Sequence, residues 1–208
     1  EKETILVDTG IGTLPPNYQK HHEVFRKEGE ELRSSLKHAG LGPTDVTLVV
    51  NTHLHFDHCG GSIRRESEKP VLTFPKAIYW TNPEHWQWAT QPNPREKASF
   101  LKENILPIQE SGLMRMAYTD QPSPIPSMDL LYVSGHTDKM MLPLIPYKGK
   151  TVCYMADLIP SVGHIPVPYV MGYDTRPLLT MEEKDKFLQL AADNKYVLFF
   201  EHDPVHQC

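Results

Sequence analysis

Cysteine is scarce. Three in 208 residues are too few for a disulfide framework, and the odd number fits thiols. Long apolar runs are absent as well. The longest are short segments such as residues 196–200, far below the ~20 residues of a membrane-spanning helix. There is no basic excess: 21 Lys and Arg against 26 Asp and Glu leave a net charge of −5. Phosphate contacts need a basic face, so a general nucleic-acid binder is excluded. The opening residues Glu1 to Val7 lack the charged, apolar and small-residue regions of a signal peptide. A cytoplasmic protein is expected, or a periplasmic or secreted one if a leader precedes these residues. Repeats and low-complexity linkers are also missing. With 39% hydrophobic and 23% charged residues, the chain reads as one globular domain over residues 1–208. Oligomeric state leaves no mark in the sequence.

Two residue types are abundant. The 19 prolines are about twice the average share and imply many stiff loops. The 11 histidines carry most of the chemistry by their placement. Residues 4–8 form a β-rich run closed by Thr9-Gly10, and residues 17–38 a polar helix stopped by Gly40 and Pro43. Residues 46–50 are an apolar run broken only by Thr47, as in a strand buried on both faces. Further strands are expected at 71–74, 128–133, 140–145, 151–155 and 196–200. A helix over 92–112 should break at Pro107. A second should start at Thr180, where Thr180 and Glu183 make a capping box, and end near Asn194. Residues 159–177 are a loop rich in Pro and Gly. Strands in both halves with helices between them imply sheets covered by helices.

The apolar run at 46–50 leads into His53-Leu54-His55-Phe56-Asp57-His58. Imidazole and carboxylate are ligands that zinc and similar ions accept. His53 and His55 share one side of an extended chain, and Asp57 and His58 follow as the turn begins. Four ligands so close in sequence can line two adjacent ions but cannot complete both coordination shells. His136, Asp157 and His202 each lie just past a β run, where side chains converge on one rim of a sheet. Each taken alone is an ordinary loop or turn residue; the spaced cluster favours reading them as ligands.

These residues carry a resemblance. The segment from Gly42 to Gly61 is similar to the metallo-β-lactamase superfamily. Val7-Asp8-Thr9-Gly10, Gly135-His136-Thr137, Asp157 and His202 follow in that family's order. The resemblance implies an αββα sandwich, α/β (α+β) in class, with a two-metal site at one edge. Relatives carry strands before residue 7 and more sequence after residue 202, so truncation at both ends is implied. By position, His53, His55 and His136 would hold one metal and Asp57, His58 and His202 the other, with Asp157 bridging them. Asp8 would support the ligands from behind. Asp157 stands where the main zinc β-lactamases have Cys, and His55 where flavodiiron proteins have Glu. The pattern is most similar to the branch of methyl parathion hydrolase and acyl-homoserine lactonases. Pro160 departs from it, since many lactonases place a tyrosine there; His164 or Tyr169 are the candidates for that role.

The implied activity is hydrolysis of a lactone, carboxyl ester or phosphotriester, a small-molecule substrate, by water activated between two divalent ions. Zinc is expected, and Mn, Fe, Co and Ni suit the same ligands. Asp57 is the residue expected to carry the catalytic proton. The competing readings are a glyoxalase II-like thioesterase and a non-catalytic metal-binding scaffold. Tyr79, Trp80, Trp86 and Trp88 either pack a helix on the sheet or, with Trp80 foremost, line an apolar mouth. Cys59 beside the cluster is read as packing.

Overall fold

The computed structural model describes residues 3–12, 28–67, 69–206 and 208. They divide into two compact units, Glu1–Thr81 with Trp86–Met116, and Asn82–His85 with Ala117–Cys208.

The first unit is built on a parallel sheet. Strands β1 (Ile5–Val7) and β2 (Leu48–Val50) pair in parallel. Strand β5 (Ile78–Thr81) pairs with β2, and β6 (Met114–Met116) with β5, again in parallel. Parallel pairing needs crossovers, which helices α1 (Glu28–His38) and α4 (Lys102–Glu110) help supply. Strands β3 (Ile63–Glu66) and β4 (Lys69–Leu72) make a separate antiparallel ribbon. The core unites Val46, Val49, Phe74, Ala77 and Tyr79 from the sheet region with Leu36 and Ile108 from the helices. The short helix α2 (Phe56–Cys59) follows β2. Helix α3 (Pro83–Thr90) starts after Asn82, whose side-chain oxygen accepts the His85 N–H at 2.8 Å. Pro83 at the first helical position sacrifices no hydrogen bond.

The second unit carries a mixed sheet in the order β10-β9-β8-β7. Strands β7 (Asp129–Val133), β8 (Met140–Tyr147) and β9 (Lys150–Tyr154) form an antiparallel meander. Strand β10 (Val197–Phe199) joins β9 in parallel. Strands β7, β9 and β10 therefore point the same way and end at one edge. Helix α5 (Pro177–Asn194) packs Phe187 and Ala191 into a core with Leu142, Leu144, Met155 and Ile159.

Most expected elements are present within a few residues of their bounds. The expected helix at 17–38 lies partly outside the described residues, and 28–38 is helical as expected. Three local expectations are corrected. The strand expected at 71–74 runs from Lys69 to Leu72 instead. Residues 92–101 are not helical, because the Asn93 side chain accepts the N–H groups of Arg95 and Glu96 and closes a turn. Helix α4 begins at Lys102 and runs through Pro107, held by burial of Asn104, Ile105 and Ile108. Helix α5 begins at Pro177 rather than Thr180. Glu183 makes no capping box, since its carboxylate accepts the N–H groups of Ser134 and Gly135 at 2.7 and 2.9 Å. Among the described residues no helix is long and apolar enough to cross a membrane.

Candidate functional site

In the first unit the carboxyl ends of β1 and β2 deliver Asp8 and the turn from Asn51 to Cys59. Asp8 adopts the left-handed conformation, φ 52°, which non-glycine residues rarely take and which carries a cost of order 1–3 kcal/mol. That backbone aims its carboxylate at the turn. It accepts the Thr52 N–H at 2.7 Å, the Thr52 hydroxyl at 2.7 Å and the His58 Nδ1–H at 3.0 Å. Gly60 and Gly61 let the 9–12 segment lie against the turn. A Cβ at Gly60 would stand 2.1 Å from the Ile11 carbonyl oxygen, and one at Gly61 2.1 Å from that of Thr9.

These bonds fix the tautomers. The Thr52 hydroxyl has one proton, and Asp8 takes it. Its oxygen therefore accepts from His53 Nδ1 at 3.1 Å, so Nε2 of His53 carries a lone pair. His58 gives its Nδ1 proton to Asp8 and likewise presents Nε2, 3.8 Å from Asp57 Oδ2. His55 gives its Nε2 proton to buried Glu96 at 3.3 Å. Glu96 is held by Trp88 Nε1–H and the Asn93 amide, each at 2.6 Å. Nδ1 of His55 then faces Nε2 of His53 at 3.1 Å. Two lone pairs at that separation repel unless a cation or an added proton lies between them. The donor set thus fits a metal: the ring pair His53/His55 presents one pair of ligand atoms, and Asp57/His58 a second.

In the second unit, His136 follows β7, Asp157 follows β9 and His202 follows β10, all at the shared edge. Ala156, φ 41° and fully buried, turns the chain so that Asp157 faces both histidines. One carboxylate oxygen meets His136 Nε2 at 3.1 Å and the other meets His202 Nε2 at 3.1 Å. His136 Nδ1 donates to Asp174 at 2.9 Å, which again leaves Nε2 as the ligand atom. Burial pulls the His136 pKa down, but the Asp157 and Asp174 carboxylates outweigh it and raise it to about 9. Without metal the ring is therefore an imidazolium between two acids, a place that favours positive charge. Around it, Gly135 lies so close to Thr180 that a Cβ would come within 2.4 Å. Arg176 donates to the Ser134 carbonyl at 2.6 Å, and Thr175 N–H to that of His136 at 3.1 Å.

The sequence-predicted residues thus fall into two tight sets: His53, His55, Asp57 and His58 with Asp8 in the first unit, and His136, Asp157 and His202 in the second. Of the residues read as substrate-binding, His164 is half-buried with Nδ1 2.8 Å from Ser161 Oγ, Tyr169 is exposed, and Trp80 lies in β5 with its indole nitrogen buried. Trp86 and Trp88 pack on Leu54, Cys59, Ala89, Phe100 and Ile105. Cys59 is part of that core, and burial pushes its thiol far up, away from the thiolate a metal would need. Sequence reasoning singles out none of Thr52, Glu96 and Asp174. Nothing in the spacing marks Glu96 or Asp174; Thr52, adjoining His53, is the one available signal.

A family profile described as the metallo-beta-lactamase superfamily matches residues 1–202. Among curated proteins, an N-acyl homoserine lactonase of Bacillus cereus is 26% identical over 219 residues, covering 98% of this chain and 78% of that protein. Among solved structures, a probable metal-dependent hydrolase from Staphylococcus aureus superposes with a TM-score of 0.85 at 24% identity, covering 97% of this chain and 71% of that one. A dizinc quorum-quenching lactonase in complex with a product gives 0.81 at 21% identity, covering 100% and 71%. The expected fold class is borne out by these likenesses.

Proposed function

The chain belongs to the metallo-β-lactamase superfamily, and we propose that it is a single catalytic domain that hydrolyses lactones with two divalent metal ions. The reading rests most on Asp157, whose two oxygens each meet one imidazole, the arrangement a shared carboxylate needs. His53, His55 and His136 would hold one ion, Asp57, His58 and His202 the other, and Asp157 both. Zinc fits this donor set, as do Mn, Fe, Co and Ni. When bound, such a pair lowers the pKa of a water toward neutral and stabilises negative charge on a substrate oxygen.

The chain's own groups do the rest. Thr52, Asp8, Glu96 and Asp174 hold each imidazole in the tautomer that ligation requires. Asp57, whose side chain is 37% exposed, takes the proton of the attacking water and passes it to the ring oxygen that leaves. Water adds to the acyl carbon, the ring C–O bond breaks, and a hydroxy acid results. Acyl-homoserine lactones are the substrates named for the curated relatives, and an N-acyl lactone is the class proposed for this chain.

The test is a turnover screen of zinc- and manganese-loaded protein against N-acyl and simple γ-lactones, p-nitrophenyl esters, a thioester and a phosphotriester. Lactone turnover with about two ions per chain, lost in Asp157→Ala, is the expected result. A metal-loaded, fully active Asp157→Ala protein would overturn the assignment, as would a chain that holds one ion or none.

A further inference from the structure

Lys184 is a fully buried lysine on α5. Its ammonium donates to three backbone carbonyls, those of His164 at 3.0 Å, Pro166 at 3.1 Å and Tyr169 at 2.6 Å. Three N–H groups are all a lysine has, and here all go to one loop. Burying a charge is costly unless it is fully hydrogen-bonded. A methionine would fill similar volume but leave those three carbonyls without their donor, so the charge is spent on fixing the backbone of the loop.

The loop it holds runs from Pro160 to Thr175 and is tied at both ends to candidate ligands. The Pro160 carbonyl accepts the His202 N–H at 3.1 Å, and Val162 N–H donates to Asp203 at 3.0 Å. At the other end Asp174 accepts from His136 Nδ1, and Thr175 N–H reaches the His136 carbonyl. The loop is therefore an arch with its feet on His202 and His136 and its middle fixed by one cation. Its outer side chains are apolar or aromatic and exposed: Val162, Tyr169 at 61% and Tyr173 at 79%.

We propose that Lys184 is a positioning residue for substrate selection, holding the 160–175 arch so that Val162, Tyr169 and Tyr173 receive the acyl chain of the substrate. The proposal rests on the lactonase reading above. Lys184 touches neither substrate nor metal; it acts through the loop.

The test is Lys184→Met, assayed beside the wild type on N-acyl homoserine lactones with acyl chains of increasing length, with metal content measured in both. For long chains KM should rise about tenfold while kcat falls less, so the preference for long over short chains flattens. About two ions per chain should remain, and backbone amides of the arch should exchange faster while those of β7 to β10 do not. An equal loss of kcat/KM at every chain length, or an unchanged chain-length profile, overturns the proposal. If Lys184→Met does not fold, Tyr169→Ala and Tyr173→Ser decide: an unaltered chain-length profile in both refutes the arch as the acyl site. If the wild type turns over no lactone, the functional reading fails separately. The same variants are then compared on p-nitrophenyl esters of matching chain lengths, where a flattened profile supports the arch and an unaltered one refutes it.

Discussion

Glu96→Gln changes one atom and should still move a proton across the His55 ring, from Nε2 to Nδ1. Glu96 Oε2 accepts from both Trp88 Nε1 and Asn93 Nδ2 at 2.6 Å, and Oε1 accepts from His55 Nε2 at 3.3 Å. A glutamine has one acceptor oxygen and one NH2. Two donors compete for its oxygen on the Trp88 and Asn93 side, so the oxygen turns there and the NH2 turns to His55. His55 Nε2 must then accept, and its proton moves to Nδ1. That proton points at His53 Nε2, 3.1 Å away, where a metal would bind. The variant gains a neutral hydrogen bond between the rings and loses a ligand atom, while fold and volume are kept. Altering a group that orients a metal-bound histidine costs 10- to 100-fold in affinity, about 1.4–2.8 kcal/mol. Chelator-competition titration reads the affinity, and nitrogen–proton correlation spectra of the imidazoles read the tautomer. A folded Glu96→Gln protein with unaltered affinity and His55 still protonated at Nε2 would refute this chain of reasoning.

Other outcomes follow from the same geometry. Because His136 is raised to about 9, it is protonated in the metal-free chain at pH 7.5; loading metal should release that proton, seen as a dependence of calorimetric binding heats on buffer ionisation enthalpy. The sign for stability is fixed by the raised value: the contribution is present in full below the ordinary pKa of 6.5 and is lost as pH rises through 9. Urea unfolding of metal-free protein should therefore show about 3 kcal/mol less stability from this group at high pH, and His136→Gln should remove that slope. Thr52→Val leaves the Asp8 carboxylate and His53 Nδ1 short of one buried partner each, and should cost about 1–3 kcal/mol in thermal or urea unfolding. Gly60→Ala forces a Cβ onto the Ile11 carbonyl and should cost more than about 2 kcal/mol; an unchanged melting temperature would show that the 9–12 segment shifts freely.

The elements that sequence revealed are those whose cause is local. The parallel strand at 48–50 is read from the largely apolar run at 46–50, and the end of helix α5 falls at Asn194, where it is expected. Expectation failed where a distant group overruled a local rule. Thr180 and Glu183 have the spacing of a cap, but Glu183 is spent on the N–H groups of Ser134 and Gly135, far away in sequence. Pro107 carries the rule for a break, but burial of its neighbours sustains the helix.

The same division runs through the candidate site. The candidate ligands announce themselves because a His/Asp cluster is rare and because β runs precede His136, Asp157 and His202. The residues that choose each tautomer do not, since a carboxylate that accepts one N–H has no spacing rule. Glu96 is 41 residues from His55, and Asp174 38 from His136. Each looks in sequence like any other acid in a polar loop. What separates them is burial, with Glu96 at 3% and Asp174 at 2% exposed. A buried carboxylate must be hydrogen-bonded or charge-paired, and an imidazole N–H satisfies Glu96 and Asp174 alike. Lys184 obeys the same logic with the opposite charge, and is equally hidden in the helical pattern of α5. The candidate ligands are thus written in the order of residues, whereas the protonation state that would make an imidazole a ligand is written in long-range contacts.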